Sequence, residues 1–168
     1  MFLNLPVFLR TVQSEDMPQL EWFGLMTPFR QVLQNDYARS ENGECVYLVA
    51  VVNNFPVAQV VADMDRYQKE GIGLVSALRV MPPFRRLGIG QMLLTAVEDS
   101  FRQKGCVAVQ LSVAKDNAAA RRLYKKAGYH IIGEKHEPWH YTTPDGSQKT
   151  VDEVEWVMEK MLGEDRSL

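Results

Sequence analysis

The sequence predicts one mixed α/β domain, and three observations predict it. β-rich runs alternate with segments of helical periodicity along the chain. Turn residues punctuate the junctions between them. A chain of 168 residues with 46% hydrophobic and 24% charged content suits a single globular core.

Residues 7–12 predict a first strand. Ser14 stands where an N-cap belongs, with Glu15 and Asp16 placed for a first helical turn. Two helices follow, one carried by Met17, Leu20 and Phe23, the next by Phe29, Val32, Leu33 and Tyr37. Glu41-Asn42-Gly43 marks a turn. Residues 45–52 are strongly β-forming, and Asn53-Asn54 with Pro56 turns the chain tightly into 57–62, so these two runs form a hairpin. A further strand spans 72–80 and ends at Pro82-Pro83, which cannot donate to a ladder. Ile89, Leu93, Leu94, Val97 and Phe101 recur at helical spacing, giving a helix over 88–103 closed by Lys104-Gly105. Residues 107–113 form a strand. Asp116-Asn117 caps a short helix that ends at Ala127-Gly128. Residues 129–134 return to β structure, Pro144-Asp145-Gly146 turns, and 151–161 make a last strand. No repeat, low-complexity run or linker divides the chain, so one domain spans 1–168.

Composition excludes several classes. Cys45 and Cys106 lie in apolar runs and read as two buried thiols rather than a disulfide. The segment MFLNLPVFLR is apolar but short, without the charged start and small-residue cleavage site of a signal peptide. No run reaches the ~18 apolar residues a membrane span needs. A cytoplasmic protein is expected. The formal charge of −2 is uneven: residues 79–126 hold ten basic and three acidic side chains, and the remainder is acidic. The acidic remainder does not suit nucleic acid, and no aromatic-basic interleaving or helix-turn-helix pattern is present. A basic stripe is often only a solvated helix face. Here it flanks Arg85-Arg86-Leu87-Gly88-Ile89-Gly90-Gln91, a glycine loop between a strand and a helix, where free amides and the helix dipole favour an anion. Glycines at 88 and 90 keep side chains out of the way of such a ligand. The spacing matches neither a Walker loop nor a dinucleotide fingerprint. From the residues alone, a tight strand-to-helix turn with incidental arginines stands beside the anion site.

Three linked stretches carry a resemblance: Ala77-Leu78-Arg79-Val80-Met81-Pro82, then the glycine loop, then Asn117 to Tyr129, which reads NAAARRLYKKAGY. Together, over 72–132, they resemble the GNAT superfamily of acyl-CoA-dependent N-acyltransferases. That resemblance implies a single-domain GNAT-like fold, a mixed and mostly antiparallel sheet of about seven strands with helices on both faces. It also implies an acetyltransferase that uses acetyl-CoA as cosubstrate, with no metal. The amides of Arg86, Leu87, Gly88, Ile89, Gly90 and Gln91 would cradle the pyrophosphate, with charge from Arg85 and Arg86. The strand before the loop would splay from its neighbour, and backbone groups of Leu78, Arg79 and Val80 would meet the pantetheine arm. Asn117 and Ala120 would border that arm, and Lys126 or another of the helix's cations would meet the 3′-phosphate. Tyr124 would face the departing sulfur as general acid.

Several of these positions have a second reading. Asn117 serves equally as a helix N-cap, and Tyr124 could simply pack beside Leu123 and Ala127. The family's usual glutamates are missing: the two regions read Gly73-Leu74-Val75-Ser76 and Leu111-Ser112-Val113. Asp63, Glu70, Glu134, His136 and Glu137 are the remaining candidates for a base, and none is singled out. Lys135 to Tyr141, KHEPWHY, suggests a β-hairpin arm over the acceptor site or else a subunit contact; a proline between His136 and His140 disfavours a helical metal pair. Trp22, Phe23 and Phe29 pose the choice between acceptor pocket and core. The acceptor is an amine, on a small molecule or a protein. A homodimer suits the resemblance. A non-catalytic acetyl-CoA sensor or scaffold is the alternative function.

Overall fold

The structure is a computed structural model and describes residues 4–63 and 70–163. The first three residues of the segment read for a leader lie outside it. In chain order the elements are β1 (Phe8–Thr11), α1 (Asp16–Gln19), α2 (Arg30–Glu41), β2 (Cys45–Val52), β3 (Phe55–Asp63), β4 (Ile72–Val80), α3 (Ile89–Gln103), β5 (Ala108–Ala114), α4 (Ala118–Lys126), β6 (His130–Lys135), β7 (Trp139–Thr142), β8 (Gln148–Val151) and β9 (Glu155–Met161). Seven strands make one sheet in the order β1-β2-β3-β4-β5-β9-β6, and β7 and β8 form a separate hairpin. Every neighbouring pair in the large sheet is antiparallel except β4 and β5. The mixed, mostly antiparallel sheet of seven strands expected above is the one observed.

Period-2 alternation sends each strand's side chains to two cores. On one face Ala58, Val60, Val75, Val109, Leu111 and Met158 meet Leu93, Leu94, Val97 and Phe101 of α3 and Tyr124 of α4. On the other, Tyr47, Val49, Val51 and Val61 meet Leu20, Trp22, Met26 and Leu33 from the α1–α2 region. Helices therefore cover both faces. The 53–54 turn forms as expected, with Asn53 and Asn54 both left-handed at φ 48 and 62. Cys45 is buried and Cys106 half-buried, and both are unpaired.

Five local expectations are corrected. Ser14 is not the cap of α1: the helix begins from Glu15 with no side-chain cap bond. Asp16 takes over, accepting from the Gln13 amide at 2.7 Å and from both terminal nitrogens of Arg10 at 2.6 and 2.8 Å. The first helix does not reach Phe23. Trp22 and Phe23 adopt φ 46 and 56, which no α-helix tolerates, and the chain continues through two short 3-10 turns. β3 begins before Pro56; the missing N–H there costs nothing on the β4 side, where pairing starts only at Ala58. The run 151–161 is not one strand. Val151 pairs with Trp139 in the hairpin, and β9 starts at Glu155. The fifth strand also starts one residue later than expected, at Ala108.

Candidate active site

β4 and β5 are paired only at Ile72–Ala108, Gly73–Val109 and Leu74–Gln110. Beyond Leu74 the two strands part, so residues 75–80 and 111–114 leave a gap between them. A bulge marks the place: Gln59 pairs with Arg79 but Val61 with Ser76, and Ala77 sits at φ 52. A bulge bends and twists its strand, which is what parting from a neighbour requires. The splay expected of the strand before the glycine loop is present, and the backbone of Leu78, Arg79 and Val80 lies along its edge.

At the end of this edge the chain turns through Pro82–Phe84 into α3. Among the described residues, the first amide of the helix to find a backbone acceptor is that of Met92, which donates to the Gly88 carbonyl at 3.1 Å. The N–H groups of Arg86, Leu87, Gly88, Ile89, Gly90 and Gln91 have no backbone acceptor among the described residues. Six free amides at the positive end of a long helix make an anion-binding surface. The side chains divide. Arg86 and Leu87 are exposed, Ile89 is 3% exposed and contributes only its amide, and Gln91 donates to Thr95 Oγ1 at 3.3 Å. Arg85 turns back, its Nε donating to the Val80 carbonyl at 2.9 Å, so it braces the loop as well as charging it.

The two glycines do different work. Gly88 sits at φ 85, and a Cβ there would meet nothing within 4 Å, so it opens onto free space beside the amides. Gly90 offers its free amide, and a Cβ there would meet Leu123 Cδ2 at 3.2 Å and Val80 Cγ2 at 3.8 Å. Its small size serves the close approach of α4 to α3 and the end of β4. Arg79 lends only its backbone to this edge. Its side chain turns away from α3, toward Tyr47 and Asp36 on the α2 side, where burial pulls its guanidinium below the ordinary arginine value. Its Nη1 has no partner among the described residues. Beside it the buried Tyr47 hydroxyl donates to Gln59 Oε1.

α4 supplies the second wall. Asn117 is its N-cap, with Oδ1 accepting from the Ala120 amide at 3.1 Å, so that amide is consumed by the cap. Lys126 is exposed in the last turn. Gly128 at φ 99 ends the helix, and the Tyr129 amide returns to the Tyr124 carbonyl at 3.0 Å. Tyr124 and Tyr129 then lie 6.1 Å apart between ring centres. Their hydroxyls differ. Tyr129 donates to Glu98 at 3.0 Å, and Lys160 Nζ holds the same carboxylate at 2.9 Å. Tyr124 is 7% exposed and its hydroxyl has no hydrogen bond among the described residues. Burial raises that phenol to about 12, so it keeps its proton throughout the neutral range.

The hairpin expected from KHEPWHY forms, and it folds onto its own chain. Tyr141 meets Phe29 at 4.7 Å and Trp139 at 5.4 Å between ring centres. Trp22 belongs to the core, its Nε1 donating to the Pro56 carbonyl at 2.9 Å, whereas Phe23 is 89% exposed and stacks on Phe55. His136 bonds Asp152, and His140 Nδ1 lies 2.9 Å from Thr150 Oγ1, so each has its own partner. The candidate bases are dispersed. Asp63 pairs with Arg39, Glu134 with Lys115, and Glu137 is exposed in the link before β7.

A strand that parts from its parallel neighbour and feeds an amide-lined helix start suits an acyltransferase. More closely, a family model described as the acetyltransferase (GNAT) family matches residues 9–129, and the chain belongs to that family. Solved structures share the fold. The ribosomal-protein-S18-alanine N-acetyltransferase from Escherichia coli is 17% identical, covers 97% of this chain and 100% of its own, and superposes with a TM-score of 0.69. Ard1 from Thermoplasma volcanium is 22% identical over 94% of this chain and 99% of its own, with a TM-score of 0.70. The PaiA N-acetyltransferase from Thermoplasma acidophilum, solved with coenzyme A, is 17% identical over 94% and 100%, with a TM-score of 0.68.

Proposed function

We propose that this acyltransferase moves the acetyl group of acetyl-CoA onto a primary amine by direct attack, with Tyr124 donating to the departing sulfur. One juxtaposition carries the reading. The free amides of 86–91 stand at the end of the strand whose outer half has parted from β5. Leu123 packs α4 against that same corner, and Tyr124, the next residue on α4, has an unbonded hydroxyl that suits a donor to the sulfur. The diphosphate of the cosubstrate suits the amides, and the open edge of Leu78 to Val80 suits the amide-bearing pantetheine arm. The coenzyme A in the PaiA structure supports the cosubstrate, and the N-acetyltransferase relatives support an amine acceptor.

Each residue then has a defined task. The loop amides and Arg86 neutralise phosphate charge. Backbone donors along the β4 edge polarise the thioester carbonyl as negative charge develops on its oxygen. The acceptor is held in line with that carbonyl, which converts a bimolecular encounter into an oriented one. Carbon–nitrogen bond formation expels a thiolate, and a phenol that remains protonated is the right donor for it. Asn117 keeps α4, and so Tyr124, in register. A reducing cytoplasm suits the two unpaired thiols. The test is calorimetry with acetyl-CoA followed by an acceptor screen read by free-thiol release and product mass. Folded protein, free of copurified ligand, that gives no heat with any CoA thioester would end the proposal.

A further inference from the structure

We propose that Glu155 is the carboxylate that takes a proton from the acceptor nitrogen. This rests on the transferase reading above, and it fills the role left empty by the absence of an acid on β4 near the bulge and at the end of β5.

The residue follows from the sheet's alternation. Val109, Leu111 and Val113 of β5 and Trp156 and Met158 of β9 face the α3–α4 core, and Lys160 reaches Glu98 of α3. The intervening residues must face the other way. That set is Gln110, Ser112 and Ala114 on β5, with Glu155, Val157 and Glu159 on β9. The hydrogen bond from Gln110 Nε2 to Glu159 Oε2, 2.8 Å, shows the two strands sharing this face. On β4, Gly73 packs on Phe101 and Val75 joins the α3 core, so Leu74 and the exposed Ser76 share it too. The core under α1 and α2 draws on β1 to β4 only. The β5–β9 half of the face is therefore left beside the gap without a helix over it.

Two glutamates stand on that half, and their positions separate them. Glu159 is bonded to Gln110, whose partner Leu74 is the last paired position of β4, so it lies at the closed end of the gap. Glu155 pairs with Ala114, at the open end. There the chain leaves β6 at Lys135, makes the β7–β8 hairpin, and returns at Glu155. Tyr141 of that hairpin reaches across to Phe29, ahead of α2. Glu155 thus stands at the foot of a roof spanning the gap. Strands are spaced about 4.8 Å apart, so a glutamate on β9 reaches an amine above the β4–β5 gap directly or through one water. Its side chain keeps 28% exposure and has Lys135 Nζ at 3.5 Å. Lys135 from β6 is its ion-pair partner, while His136 and Asp152, on either side of the hairpin, bond each other. β5 carries no charged residue, and Lys115, just beyond it, lies over Trp156 and bonds Glu134 on the other face.

The step balances. An acceptor ammonium loses two protons in becoming an amide. One goes to Glu155 and on to solvent, freeing the lone pair that attacks the thioester carbonyl carbon. The carbon–nitrogen bond forms, the carbon–sulfur bond breaks with its electron pair on sulfur, and the second proton ends on sulfur by way of Tyr124.

Glu155→Gln, Glu155→Asp and Glu159→Gln are compared with the wild-type chain on two kinds of nucleophile. Spermidine, lysine and an alanine-initiated peptide are protonated at neutral pH, and hydroxylamine is not. We expect Glu155→Gln to lower kcat for the fastest protonated acceptor by roughly 100-fold with KM changed by less than about threefold. Its hydroxylamine rate stays within about threefold, its acetyl-CoA affinity by calorimetry within about twofold, Glu155→Asp recovers part of the rate, and Glu159→Gln behaves as wild type. Equal losses on both kinds of nucleophile, or no loss on either, overturn the inference. A wild-type chain that binds no acetyl-CoA, or acetylates none of these probes, overturns the transferase reading first and this inference with it.

Discussion

Replacing Tyr124 by phenylalanine removes one oxygen and nothing else, and the structure sets the size of each effect. Tyr124 is 7% exposed and its hydroxyl makes no hydrogen bond among the described residues, so its loss leaves no partner stranded and changes stability at neutral pH little. Catalysis is another matter. A positioned acid contributes roughly 10²–10⁴ in rate, which corresponds to about 3–5 kcal/mol of barrier. Turnover should fall by that factor while the affinity for acetyl-CoA holds. The alkaline limb gives an independent check. Burial raises the phenol from its ordinary 10.0 to about 12 in the folded chain. The native state then holds this proton more tightly than the unfolded state does. Its contribution is complete below pH 10 and is lost as pH rises to 12, about 2–3 kcal/mol in all. For a chain of this size that is roughly 5–10 °C in Tm. Wild type and Tyr124→Phe, melted side by side from pH 9 to 12, should therefore start together and draw apart as the pH rises, wild type melting below the variant. The reasoning is refuted if the variant turns over at the wild-type rate, or if the two melting curves keep a constant separation across that range.

Tyr129→Phe should do the opposite: it strips Glu98 of a buried partner, costing ~1–3 kcal/mol in thermal or denaturant unfolding, with turnover nearly unchanged. Gly73→Ala should be among the most damaging small changes, because the new Cβ would fall 2.4–2.6 Å from ring atoms of the fully buried Phe101; overpacking of this kind costs ~1–3 kcal/mol, read as a lowered Tm. Gly88→Ala meets no atom but must hold φ 85, so it should lose ~1–2 kcal/mol of stability from backbone strain alone. It should also weaken acetyl-CoA binding in calorimetry, since its methyl would stand among the loop amides; unchanged affinity would count against the site.

What the residues disclosed depended on whether the cause was local. α3 is legible because its apolar spacing, its glycine at one end and Lys104-Gly105 at the other all agree, and Asn117 caps α4 as its side chain allows. The 53–54 hairpin is legible for the same reason. Ser14 misled because the competitor, Asp16, gains its advantage from Arg10 on β1, a tertiary partner that local spacing does not reveal. Alternation in 151–161 predicts one strand because nothing local shows that Val151 belongs to Trp139 rather than to the sheet. Gly90 reads locally as a ligand glycine, and nothing local shows that it also makes room for Leu123, more than thirty positions on. Glu155 escaped notice for the most physical reason of all. A carboxylate on β5 itself would have been visible in its own strand, but one on β9 reaches the gap only because β9 inserts next to β5, and no local pattern encodes strand order.

That insertion governs how the chain is completed. β9 is last in sequence yet occupies an interior place, between β5 and β6. During synthesis the part from β1 through α4 can close around α3 before β9 emerges, while β6 waits with no neighbour in the large sheet. A chain cut just ahead of Glu155 would lose its final strand and leave β6 detached, so the seam that seals one end of the sheet is also the one that delivers the carboxylate.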